Sequence, residues 1–335
     1  MTYQVFEIKN FVLQSGMTLP SVNLAYQTYG SLDKDKRNVV VLPTFYTGTH
    51  VRNEGFFGNG RAIDPARHFV VSVNMFGNGL SSSPGNAPPP VDGANFPTMT
   101  LWDNIRAQHQ LLTEQWQIES IQLVAGWSMA GCQAYQWAAQ YPDFVRAIAP
   151  FCASARTSPH NFVFLEGVKA ALTADQTFAN GYYSEQPVSG LKAFARVYAG
   201  WAFSQTFYRE HLYRQLGFES IEELLVDWEN DHVENWDANN LLHKLKSWQL
   251  GDISANKLYA HDFQAALRAI KAKAILIPCS DDLYFPPEDN ELEAKTMPNA
   301  EFRPYESPFG HCVASPGNDP KFHDFLDECF HELLA

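Results

Sequence analysis

A chain of 335 residues is long enough to bury a deep core and still carry a separate cover over a site, as one large domain with an insertion or as two domains. Its 24 Lys and Arg stand against 37 Asp and Glu, and a net charge of −13 with no basic cluster argues against a nucleic-acid partner, because phosphate binding rests on grouped cations that release counterions. No stretch approaches the roughly 20 continuous apolar residues of a membrane span, so no membrane partner is expected. The five cysteines are odd in number and lack CxxC spacing, which argues against a zinc or redox motif and for a reducing compartment. With no basic run ahead of an apolar core at the amino terminus, the expected location is cytoplasmic.

Residues 11 to 42 read as β in three pieces, FVLQSG, SVNLAYQTYG and NVVVLP, each rich in β-branched and aromatic residues between turn formers. HFVVSVNMFGNG at 68–79 predicts a further strand, and IQLVAGWS at 121–128 another. Between them TLWDNIRAQHQLLTEQWQ has apolar residues at helical spacing, giving strand, helix, strand. That alternation predicts a mainly parallel sheet flanked by helices. MAGCQAYQWAAQYP, Ala-rich and stopping at Pro142, predicts a helix, and VRAIAPFCAS a strand. From 156 to 260 the pattern is helical and rich in aromatics, including Trp201, Trp228, Trp236 and Trp248, which predicts an inserted helical lid. KAKAILIPCSDD at 271–282 and EFRPYE at 301–306 resume the sheet, and KFHDFLDECFHELLA closes the chain as a helix. The expected division is a core of 1–155 and 261–335 with a lid of 156–260.

The chemistry starts at Gly126-Trp127-Ser128-Met129-Ala130-Gly131, between an apolar strand and an Ala-rich helix. In a nucleophile elbow the serine sits in a strained turn where strand and helix come close, so its neighbours must be small. Gly126, Ala130 and Gly131 meet that need. A helix starting just after Ser128 also directs backbone N–H groups toward developing negative charge. The alternative is a serine that merely caps the helix; the strand-to-helix context favours the nucleophile, and with it an α/β-hydrolase fold.

In that fold the acid and then the histidine follow the serine, on loops after late strands. After AILIPC come Asp281 and Asp282, and beyond the last strand comes Gly310-His311. An imidazole held by a carboxylate turns its other nitrogen to the serine. The pattern alone leaves open which of the two aspartates serves, since adjacent residues point in different directions.

These motifs together resemble the homoserine O-acetyltransferase family of α/β-hydrolase-fold acyltransferases. GWSMAGCQAYQWAAQYPDFV is similar to that family's GGSMGG-type elbow and helix, and RTSPHNFVFLEGVKAAL to the opening of its lid. DLYFPP at 282–287 is similar to the family's D-x-L-F-P-P, which implies Asp282 as the acid. The resemblance also implies an oxyanion hole at Thr44-Phe45-Tyr46-Thr47-Gly48, with the backbone N–H groups of Tyr46 and Met129 as donors, and possession of a homodimer. It assigns the substrate carboxylate to Arg196. Two departures bear on substrate: a family tyrosine is Phe203 here, and the family's Asp directly after the histidine is Cys312, which removes an anion for an ammonium group.

The function expected is therefore a serine acyl hydrolase or acyl-transfer enzyme acting on a small-molecule ester, thioester or related carbonyl compound through an acyl-serine intermediate, with no cofactor and no metal. Homoserine O-acetyltransferase activity, with acetyl-CoA as co-substrate, is the alternative. A non-catalytic binding protein on the same fold is the alternative of another class, and the complete set of Ser, His and Asp argues against it.

Overall fold

In the computed structural model, which describes residues 2–335, eight strands form one sheet. They are β1 (Gln4–Val12), β2 (Thr18–Tyr29), β3 (Val39–Pro43), β4 (Phe69–Val73), β5 (Leu123–Trp127), β6 (Ala147–Phe151), β7 (Lys273–Leu276) and β8 (Ala300–Phe302). Their order is β1-β2-β4-β3-β5-β6-β7-β8. β1 and β2 pair as an antiparallel hairpin, β2 lies antiparallel to β4, and every other pairing is parallel. This is the mainly parallel sheet that the strand-helix-strand pattern predicts.

Strands β3 to β6 are buried at every position, as apolar runs covered on both faces must be. Alternate residues serve two separate cores: Val40 and Leu42 point to one face of the sheet, Val39 and Val41 to the other. The first strand begins at Gln4 rather than at Phe11. It is an edge strand whose exposed Glu7, Lys9 and Asn10 interrupt the apolar run, which hides it from a reading based on apolar content.

Around the sheet lie α1 (Leu101–Trp116), α2 (Met129–Gln140), α9 (Pro287–Thr296) and α10 (Pro320–Leu334). Between β6 and β7 the chain makes α3 (Pro159–Thr173), α4 (Val188–Ala202), α5 (Gln205–Arg209), α6 (Ile221–Asn235), α7 (Ala238–Gln249) and α8 (Phe263–Ala269). Side-chain caps mark where these helices start: Ser158, Ser204, Ser220, Asp237 and Asp262 each accept from a backbone N–H of the following turn. Helix α9, PEDNELEAKT, has no apolar stripe, and nothing in its periodicity predicts it. Its start is set instead by Pro287 in the first turn, with Glu288 and Asp289 against the helix dipole.

Candidate active site

The carboxyl ends of four strands deliver the side chains of one site. Tyr46 follows β3, Ser128 follows β5, Asp282 follows β7 and His311 follows β8. Such ends are where open sheets of this kind place ligands, because the loops there diverge from a rigid base.

Ser128 has φ 58 and ψ −130, a backbone state that side chains rarely adopt and that only a tightly packed turn sustains. The small neighbours explain how the turn fits. A Cβ on Gly126 would stand 2.5 Å from the Cβ of Ala130, and one on Gly131 would stand 2.5 Å from the Cβ of Ala153 and 2.8 Å from the Gly126 carbonyl oxygen. The Ser128 N–H donates to the Phe151 carbonyl at 3.0 Å, tying the turn to β6.

His311 joins the other two groups. Its Nδ1 lies 2.7 Å from Asp282 Oδ2, and its Nε2 lies 2.9 Å from Ser128 Oγ. With the proton on Nδ1 donated to the carboxylate, Nε2 presents its lone pair to the serine hydroxyl. The other oxygen of Asp282 accepts from the backbone N–H groups of Tyr284 at 2.8 Å and Phe285 at 3.1 Å, so the carboxylate cannot swing away. Asp281 takes no part: its Oδ1 accepts from Ser280 Oγ at 3.2 Å. The histidine loop is itself anchored, because Trp127 Nε1 donates to the His311 carbonyl at 3.1 Å. Gly310 has φ 60, and a Cβ there would meet Ser204 N at 2.9 Å and Asp281 O at 3.0 Å, so the Gly-His pair requires its glycine.

Tyr46 lines the same site as Ser128, and Met129 directly follows the serine at the start of α2. Among the described residues, neither the Tyr46 nor the Met129 N–H has an acceptor in the protein. The Tyr46 turn is held by Gly48 N–H donating to the Phe45 carbonyl at 3.1 Å and by Gln133 Nε2 donating to the Thr44 carbonyl at 2.9 Å.

Over the serine opens a cavity of about 510 Å³. Phe45, Tyr46, Trp127, Tyr198, Trp228 and Tyr284 give it an aromatic lining, and Phe203 and Cys312 both border it. Asp227 and Asp231 on α6 reach the same cavity, where desolvation and the charge of Asp231 hold the Asp227 carboxyl above its ordinary range. Arg52 also borders it, its guanidinium 5.5 Å from the center of the Phe45 ring.

Arg196 is the correction. It does not border the cavity; its guanidinium lies between α4 and α6, paired with Glu222 and Glu229 on the partly exposed outer side of the inserted helices. Its Nε and one N–H on each terminal nitrogen go to those two carboxylates, and the group stands away from the cavity in which a substrate carboxylate would lie. The residue that the sequence reading missed is Lys244. It is fully buried in α7 and its Nζ donates to the Tyr46 carbonyl. A signal was present: in LLHKLKSW the lysine falls three residues after Leu241 and four before Trp248, on the apolar face of the helix.

Residues 37–314 match the family model described as alpha/beta hydrolase fold. The chain belongs to the α/β-hydrolase fold family. Among curated proteins this α/β-hydrolase is 38% identical to an ethyl acetate hydrolase of Pseudomonas veronii, over 99% of its own length and 95% of that protein's. It is 31% identical to a homoserine O-acetyltransferase of Chlorobium chlorochromatii, over 90% of its own length and 87% of the relative's. The solved structure of the acetyl esterase MekB superposes with a TM-score of 0.96 at 37% identity, covering 100% of this chain and 97% of that one. The resemblance carried by the elbow and the DLYFPP and Gly-His motifs thus extends along nearly the whole chain. This α/β-hydrolase is an enzyme of the acyl-hydrolase or acyl-transfer class, and its similarity to the esterases exceeds that to the homoserine acetyltransferase.

Proposed function

We propose that this α/β-hydrolase is a carboxylesterase that cleaves acetate esters of small, uncharged alcohols through an acetyl-serine intermediate. Ser128 Oγ attacks the ester carbonyl while His311 Nε2 takes its proton, Asp282 stabilizes the imidazolium, and the Tyr46 and Met129 N–H groups receive the oxyanion. Collapse expels the alcohol, which takes the proton from His311. Water, deprotonated by the same nitrogen, then attacks the acetyl-serine and releases acetate. All groups come from the chain's own side chains and backbone, so the reaction calls for no metal and no cofactor, and acetyl-CoA is not needed as donor.

The observation that carries this reading is the hydrogen-bonded line from Asp282 through His311 to Ser128 at the floor of an aromatic cavity. The choice of an uncharged alcohol over homoserine rests on Arg196, whose donors face Glu222 and Glu229, and on Phe203 and Cys312 at the cavity wall. Likeness to an ethyl acetate hydrolase supports the acetyl group. No helix among the described residues is long and apolar enough to cross a membrane. With five free, buried cysteines, we place the enzyme in a reducing cytoplasm.

The test is intact-mass spectrometry and product analysis with ethyl acetate, p-nitrophenyl acetate, and acetyl-CoA with and without homoserine. The expected result is a transient adduct of one acetyl group on Ser128 from the esters, discharged to water, and none in Ser128→Ala. An adduct formed from acetyl-CoA and discharged to homoserine faster than to water would establish the transferase instead.

A further inference from the structure

Lys244 is a basic group with no solvent exposure, and among the described residues no carboxylate stands within ion-pair distance of it. Burial pushes its amine well below the usual lysine range, with Asp237 opposing. A buried amine without a counter-ion is costly to protonate, and groups of this kind concentrate at functional sites. Its surroundings are specific. Nζ lies 3.9 Å from the center of the Trp236 ring and 5.2 Å from that of Tyr46, and it donates to the Tyr46 carbonyl.

That carbonyl belongs to one of the two residues to which the proposed reaction assigns the oxyanion. The Tyr46 hydroxyl donates to the Leu241 carbonyl at 2.9 Å, so α7 grips the same residue at its phenol and at its backbone. The peptide ahead of Tyr46 is fixed by the bond from Gly48 to Phe45, and the peptide behind it is fixed by Lys244. With both flanking planes held, the direction of the Tyr46 N–H is set before substrate arrives. Preorganized donors are worth more than donors that must turn during the reaction.

We propose that Lys244 is a positioning residue for acyl transfer: by holding the Tyr46 carbonyl, its Nζ aims the Tyr46 N–H at the oxyanion formed when Ser128 attacks. The inference rests on the acyl-serine reading above. The inserted helices are then part of the catalytic machinery as well as a cover, since α7 sets the geometry of a loop from the sheet.

The experiment compares wild type with Lys244→Met, whose unbranched side chain fits the buried slot without the amine, and Lys244→Gln, which keeps an N–H donor. Turnover of p-nitrophenyl acetate is counted per site titrated by a fluorophosphonate, so any misfolded fraction drops out. An aryl trifluoromethyl ketone serves as the second probe: Ser128 Oγ adds to its carbonyl, the serine proton passes to His311, and the resulting hemiketal oxyanion occupies the N–H pair. In Lys244→Met, kcat is expected to fall about 10- to 100-fold with KM changed by less than about threefold, and Ki for the ketone to rise by the factor lost in kcat/KM. Lys244→Gln should recover part of both losses, and the Tm of Lys244→Met should equal or exceed that of wild type. Wild-type kcat in Lys244→Met, or a lowered kcat with unchanged Ki, would overturn the proposal. A wild-type enzyme that the ketone does not inhibit would overturn the acyl-serine reading itself.

Discussion

Asp281 and Asp282 carry the same side chain one position apart, and the fold separates them completely. Asp282 Oδ2 faces His311 and its other oxygen is held by two backbone N–H groups, whereas the Asp281 carboxylate accepts from the neighbouring Ser280 hydroxyl. An asparagine at 282 that keeps those backbone contacts through its carbonyl turns its amide toward Nδ1, which favors the tautomer with the proton on Nε2. Asp282→Asn should therefore lower kcat/KM on p-nitrophenyl acetate by about 10³- to 10⁴-fold. Asp281→Asn should stay within about twofold of wild type, and the reverse ranking would place the orienting acid elsewhere. Arg196 makes the opposite point about reading single residues. Its position matches a substrate-binding arginine by resemblance, yet its partners are Glu222 and Glu229. Arg196→Ala is expected to leave KM for neutral and carboxylate-bearing esters equally unchanged and to lower Tm slightly by uncoupling α4 from α6. A KM increase confined to carboxylate-bearing esters would return Arg196 to the site.

The elbow between β5 and α2 is legible as an element because its demands are steric. Gly131 has no room for a methyl group against Ala153 and the Gly126 carbonyl. Gly131→Ala should destabilize the protein by about 1–3 kcal/mol in urea denaturation and lower activity as the turn shifts Ser128. Full stability and full activity in that variant would mean that the two elements can part without cost. Helix α9 and strand β1 stayed hidden for the same kind of reason in reverse: both are half-exposed and charged, so neither prints an apolar period on the sequence. Lys244 is hard to read from sequence because a lysine on an apolar helical face ordinarily snorkels its charge to water, and here Trp236 and Tyr46 close over it.

At the scale of the whole molecule, one buried carboxyl links the nucleophile helix to α9. Glu293 is 3% exposed; it accepts from Tyr135 Oη at 2.6 Å, from Ala155 N–H at 2.8 Å and from Asn290 Nδ2 at 2.8 Å. Burial outweighs these donors and pushes its pKa up to about 7. An unfolded glutamate ionizes at about 4.3, so between there and about 7 the native state holds a proton that the unfolded state has lost. Its contribution to stability is thus complete at lower pH, falls as pH rises through that window and levels off above it. Melting curves from pH 5 to 8 should show a smaller decline in Glu293→Gln than in wild type. Parallel slopes would mean that Glu293 ionizes in the fold as it does in the unfolded chain.

The sequence by itself determined the succession of the buried strands and of the helices with an apolar face through periodicity, the elbow through its small residues, and the candidate nucleophile and base through their places after strands. Those features are local, or follow from chain order, and a single pattern carries them. Which aspartate meets the histidine, which arginine faces the cavity and where a lysine ends up are decided by packing between segments far apart in the chain. Lys244 meets Tyr46 across 198 positions and His311 meets Ser128 across 183. Only the folded sheet, with its helices laid over the carboxyl edge, brings such groups within hydrogen-bond reach. A side chain's partners there depend on directions that no linear spacing encodes.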